Sequence, residues 1–179
     1  MGYTGGSTQD PTYYNLGDHT ETVQLDFDPS QVSYEELVRD FFLAHDATRS
    51  SSKRQYMSAI FAGDAEQEAI ARRVMDEVQA RTKKTLKTQI LPAGEFYLAE
   101  DYHQKYALQA RPRIYNEFAA MYPDFWDIVD SPAATRVNAY VYGFGTVEQL
   151  AAELDSLGLS DSATADLGKL QPTAACPID

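Results

Sequence analysis

Between Val23 and Leu91 the spacing of apolar residues switches repeatedly between two periods, and this constrains the fold more than any other feature. Val23, Leu25 and Phe27 alternate with Gln24 and Asp26, the two-residue period of a strand with one buried face. A strand is expected over Thr20 to Asp28, ended by Asp28-Pro29. Ser33 stands three residues before Glu36, the spacing of a capping box. Leu37, Val38, Phe41 and Phe42 then lie on one side of a helix reaching His45. Tyr56 to Ala62 (YMSAIFA) is the second expected strand. Asp64 caps a helix to Arg81, in which Ile70, Val74 and Val78 recur every four residues. Thr85 to Leu91 alternates Leu86, Thr88 and Ile90 with Lys87 and Gln89, and Pro92-Ala93-Gly94 breaks it. Strand, helix, strand, helix, strand is an α/β sandwich pattern.

The character changes after Gln109. Pro112 opens a helix to Met121, and Ser131-Pro132 is an N-cap followed by proline at the first helical position. Gly143-Phe144-Gly145 is a turn, Thr146 and Gln149 form another capping box, and Gly158 closes that helix. The expected division is therefore an α/β core over residues 1–108 and a helical extension over 109–179, with a loose tail from Lys169.

Charge and composition narrow the function classes. The 179 residues carry a formal net charge of -12, which opposes binding to nucleic-acid phosphates. No apolar run is long enough to span a bilayer, and the N-terminus lacks the basic-then-apolar order of a signal peptide. A cytoplasmic protein is expected, with neither nucleic acid nor membrane as partner. The single cysteine, Cys176, excludes an internal disulfide and a cysteine-rich metal site. His19 with Glu21, and Glu100, Asp101 with His103, lack the spacing of a helical zinc motif, so no metal is expected. Ser58 lacks the glycine and histidine context of a nucleophile elbow.

A further pattern is linear. GYTGG (Gly2–Gly6), PTY (Pro11–Tyr13), GDHTETVQLDFDP (Gly17–Pro29), SYEELVRDFFLAHD (Ser33–Asp46), RQYMSAIF (Arg54–Phe61) and FYLAEDYHQKY (Phe96–Tyr106) occur in that order. Together they resemble the peptide methionine sulfoxide reductase A family over residues 2–108, and NAYVYGFGTVEQLAAELDSLGL resembles an extension carried by one branch of it. The resemblance implies a two-layer ferredoxin-like sandwich and reduction of methionine (S)-sulfoxide in oxidised proteins. It implies no bound cofactor. A cysteine thiolate attacks the sulfoxide sulfur, becomes a sulfenic acid and then a disulfide, and thioredoxin or another dithiol reduces it. The sulfoxide oxygen is held and protonated by a glutamate and two tyrosines. By the matching motifs these are Glu21 in GDHTE, Tyr13 in PTY and Tyr56 in RQY. A carboxylic acid in an apolar, tyrosine-lined pocket suits proton donation.

Two departures accompany the resemblance. TRSSSKRQY (Thr48–Tyr56) lacks the Gly-Asn-Asp stretch of the better-known branch, so a different loop orients the pocket. The family's nucleophile lies in a Gly-Cys-Phe-Trp stretch upstream of GYTGG, and this chain contains no such stretch. Cys176, in AACPID, is the candidate resolving thiol. An N-terminally truncated sandwich is thus expected, with the edges of the central strand's two neighbours exposed. Residue 1 is expected to be an internal position of a longer protein, its start misassigned. An upstream frame with a stop codon and no Gly-Cys-Phe-Trp would sink that expectation. The alternative is a non-catalytic pseudoenzyme or remnant that binds methionine sulfoxide peptides through Tyr13, Glu21 and Tyr56.

Overall fold

The computed structural model describes residues 1–170 and 172. It is a mixed α/β structure whose chain divides into two units, Met1–Glu100 and Asp101–Asp179. Cys176 lies outside the described residues. Among those described, no helix is long and apolar enough to cross a membrane.

In the first unit, β1 (Gly2–Thr4) lies between β2 (Thr20–Thr22) and β5 (Tyr97–Leu98), antiparallel to both. Gly2 permits this closeness: a Cβ there would fall 2.3 Å from Phe96 Cζ and 2.4 Å from the Tyr97 carbonyl oxygen. Tyr3 is buried and its hydroxyl donates to Glu100 Oε2 at 2.6 Å. The strand expected over 20–28 stops at Thr22, which corrects that reading. The register pairs Gly2 with Thr22, and among the described residues no ladder partner continues opposite Val23 to Phe27. Without a partner or a covering layer, Val23 and Leu25 stand 58% and 60% exposed. Alternation marks a potential buried face, but a strand also needs a neighbour.

Two helices and a second sheet complete this unit. Ser33 and Glu36 form the capping box of α1 (Tyr34–Leu43), and Asp64 accepts from the Gln67 N–H to cap α2 (Ala65–Thr82). Val38 and Phe42 of α1 pack with Ala71, Val74 and Val78 of α2. Arg39 and Arg73 fasten the outer surface by each binding both Glu35 and Glu77. Hydrogen bonds from Arg73 and then Arg39 hold the Glu35 carboxyl down at about 2. β3 (Ala59–Ala62) and β4 (Gln89–Pro92) run parallel, joined across α2, the crossover that parallel pairing requires. Both strands are shorter than expected. Leu86 and Thr88 are nevertheless buried while Lys87 and Gln89 are exposed, so the alternation read there is correct.

His45, at the end of α1, is tied to this second sheet. Its Nδ1 lies 2.7 Å from the Phe41 carbonyl, which only accepts, so Nδ1 carries the proton. Nε2 lies 2.8 Å from Ser58 Oγ, which in turn lies 2.8 Å from Thr88 Oγ1. The histidine absent from the local sequence of Ser58 arrives from 13 residues away.

The strands thus form two sheets, β2-β1-β5 and β3-β4. Among the described residues neither β2 nor β3 has a second neighbour, and both line one cleft of about 1040 Å³. Leu25, Val38, Phe41, Ile60, Phe61 and Phe96 supply much of its apolar wall.

The second unit is helical: α3 (Tyr106–Gln109), α4 (Pro112–Met121), α5 (Phe125–Asp130), α6 (Pro132–Tyr142), α7 (Val147–Glu153) and α8 (Asp161–Leu167). Ser131 and Thr146 cap as their sequence contexts predict, and Gly143 ends α6 at φ 102°. Its core joins Leu108, Ile114, Phe118, Ile128, Val137, Tyr140, Leu150 and Leu167 among others. Leu108 is fully buried in that core.

Candidate active site

Three segments distant in sequence deliver Tyr13, Glu21 and Tyr56 to one place in the first unit. Glu21 is the middle residue of β2, opposite Tyr3 of β1. Its half-buried side chain lines the cleft together with Tyr56. Tyr56 closes a single 3₁₀ turn, Arg54–Tyr56, and is 52% exposed. Tyr13 sits in a tight turn between Thr12 and Asn15, which exchange backbone hydrogen bonds of 3.3 and 3.0 Å. Its own N–H donates to Glu100 Oε1 at 2.9 Å. Glu100 thus holds the Tyr13 backbone with one oxygen and the buried Tyr3 hydroxyl with the other.

A side-chain hydrogen bond with Tyr56, then the charges of Tyr56 and Glu21, raises the pKa of Tyr13 above its ordinary value, while Lys53 acts in the opposite direction. Tyr13 therefore stays a neutral hydrogen-bond donor throughout the physiological range. Two phenols and one carboxyl group, reachable from solvent beside an apolar cleft, can grip a polar oxygen and supply it with a proton.

The turn before Tyr13 is held from β2's side. Gly5 adopts φ 79°, and a Cβ there would lie 2.4 Å from Phe61 Cε1. Asp18 accepts from the Ser7 and Thr8 N–H groups at 2.7 and 3.3 Å. The Ser7 N–H is the chief reason its carboxyl lies far below the usual carboxylate range. His19, fully buried, accepts the Gly6 N–H on Nδ1 at 3.2 Å, so Nε2 bears the proton and donates to the Thr8 carbonyl at 2.8 Å. Both ring nitrogens are engaged in holding this loop. Among the described residues no group of histidines, cysteines and carboxylates is arranged to hold a metal ion.

Sequence reasoning missed Gln55, whose Nε2 donates to Glu21 Oε1 at 2.6 Å. A strand from Tyr56 would put Gln55 and Tyr56 on opposite faces, whereas the 3₁₀ turn brings both to the site. The turn is anchored on either side: Arg54 Nη2 donates to the Gly5 carbonyl at 2.6 Å, and the Thr20 hydroxyl donates to the Arg54 carbonyl at 3.2 Å. The role of Glu100 was missed too; FYLAEDYHQKY was legible as a motif, but its partner Tyr13 lies 87 residues away.

Comparison with known proteins gives a consistent picture. The family described as peptide methionine sulfoxide reductase matches residues 1–127. A peptide methionine sulfoxide reductase of Drosophila melanogaster is 37% identical over 162 residues, covering 89% of this chain and 65% of the fly protein. A probable peptide methionine sulfoxide reductase of Schizosaccharomyces pombe is 47% identical over 117 residues, 59% of this chain and 69% of the yeast protein. The chain thus spans less than two thirds of the fly protein's length. The crystal structure of Mxr1 from Saccharomyces cerevisiae in reduced form superposes with a TM-score of 0.57 at 29% identity, covering 63% of this chain and 70% of that one.

Proposed function

The chain belongs to the peptide methionine sulfoxide reductase family, and from that premise we propose that it carries the oxygen-binding and proton-donating half of a methionine (S)-sulfoxide reductase site. The convergence of Tyr13, Glu21 and Tyr56 supports this reading most directly. The sulfoxide oxygen accepts hydrogen bonds from the two phenols, and Glu21 supplies its proton. A cysteine thiolate attacks the sulfur, the oxygen passes to the cysteine as a sulfenic acid, and the thioether leaves as methionine. A second thiol condenses with the sulfenic acid, releasing water and forming a disulfide, which thioredoxin or another dithiol reduces to two thiols. Neither step calls for a metal or prosthetic group. The substrates are oxidised proteins and peptides, and the setting is the cytoplasm. The nucleophile belongs to the family's Gly-Cys-Phe-Trp segment, and Cys176 takes the part of the resolving thiol.

One observation favours a second reading. Cys176 is the only cysteine in the sequence, and its AACPID context supplies no base. On that reading the 179-residue chain binds methionine sulfoxide without turning it over. Both readings require recognition of the sulfoxide oxygen, which NMR can test. The isotope-labelled chain is titrated separately with N-acetyl-methionine (S)-sulfoxide, its (R) epimer and N-acetyl-methionine. Selective movement of the Tyr13, Glu21 and Tyr56 signals with the (S) epimer is expected. Equal responses to all three compounds, or none, would refute the assignment.

A further inference from the structure

Glu21 is held by a residue outside the tyrosine pair. Gln55 Nε2 lies 2.6 Å from Glu21 Oε1, a short bond from an amide that is itself half-buried. The flanking residues Arg54 and Tyr56 reach Gly5 and Tyr13 respectively. Three consecutive side chains of one 3₁₀ turn therefore fasten three separate segments of the site.

Building on the proposed sulfoxide-binding role, we infer that Gln55 is a positioning residue that selects which oxygen of Glu21 carries the transferable proton. A protonated carboxyl group has one oxygen that accepts and one that donates. An amide N–H occupying Oε1 requires that oxygen to accept. The proton then resides on Oε2, the oxygen left to meet a ligand. Without the amide, the proton is shared between both oxygens and the carboxyl group is free to rotate. Gln55 thus supplies an orienting contact from within RQY, in a loop that lacks the Gly-Asn-Asp stretch.

The direct test uses the full 179-residue chain with labelled glutamine side chains. Signals of the Gln55 amide are identified by their loss in Gln55→Met, a variant of similar length and shape without a donor. In wild type they are expected to shift as a carboxylate titrates in the acid range, and to stop doing so in Glu21→Gln. An amide that ignores acid pH in wild type overturns the inference. The second readout is affinity for N-acetyl-methionine (S)-sulfoxide. Loss of one such hydrogen bond should weaken binding about threefold to tenfold in Gln55→Met, with an unchanged melting temperature. Equal sulfoxide affinity in wild type and Gln55→Met overturns the positioning role. Failure of wild type to bind sulfoxide would instead overturn the proposed function, and the amide titration would still report on the Gln55–Glu21 pair.

Discussion

Truncating Leu108 to alanine tests where the helical unit begins. Leu108 is fully buried and packs with Ile114, Phe118, Ile128 and Val137. Its backbone N–H accepts no change on truncation, because it donates to Asn138 Oδ1 at 3.1 Å and alanine retains that donor. The loss is thus confined to apolar burial and the cavity left behind. Leu→Ala substitutions at fully buried sites cost about 2–5 kcal/mol; taking about 3 kcal/mol, the unfolding equilibrium shifts roughly 150-fold. A unit spanning Asp101 to Leu170 should have a total stability of only about 4–10 kcal/mol, so the effect is large. Trp126 is the sole tryptophan and lies in α5, so its fluorescence reports this unit. With a urea slope of about 1.5 kcal/mol per molar, the midpoint should fall by roughly 2 M. An unchanged Trp126 midpoint would refute the assignment of Leu108 to this core and move the boundary back beyond residue 108.

Two further outcomes are expected. Leu25→Lys places a charge on the unpaired 23–28 stretch, where Leu25 is 60% exposed. It should reduce self-association in sedimentation and binding of a hydrophobic dye, because charge on an open edge disfavours strand pairing; equal association by both chains would count against an accessible edge. For Asp18 the folded pKa is depressed, chiefly by the Ser7 N–H. Its stabilisation of the Gly5–Thr8 turn is therefore complete above the ordinary aspartate range, about 4, and is lost as pH falls below it. Asp18→Asn should speed hydrogen exchange at Ser7 and Thr8 at neutral pH, and acidification of wild type should lower the protection factors of the same two amides. Unaltered protection at those amides would show that the carboxylate does not hold the loop.

Local signals were legible because their causes are local. Ser33 with Glu36, Asp64, Ser131 with Pro132, and Thr146 with Gln149 each satisfy helix N–H groups within one turn, so a few residues suffice to place those helix starts. The ordered motifs identified the family and pointed to Tyr13, Glu21 and Tyr56, which the structure brings together. The interactions that hold this cluster are long-range. Glu100 reaches Tyr13 across 87 residues and Gln55 reaches Glu21 across 34. No spacing rule describes either pair.

Strand extent was equally beyond local reading. Val23, Leu25 and Phe27 alternate as well as any strand, but pairing requires a second backbone, and among the described residues the β1–β2 ladder ends at the Gly2–Thr22 pair. Conversely, Gly2–Thr4 and Tyr97–Leu98 are too short to show a period, and become strands because each supplies the other's partner. Sequence alone placed the starts of α1, α2, α4, α6 and α7 and identified the family. Tertiary structure decided which strands pair, that β2 and β3 border an open cleft, and which neighbours orient Glu21. Caps and periodicity act within a few residues of chain, whereas pairing and side-chain orientation depend on groups that meet only after folding.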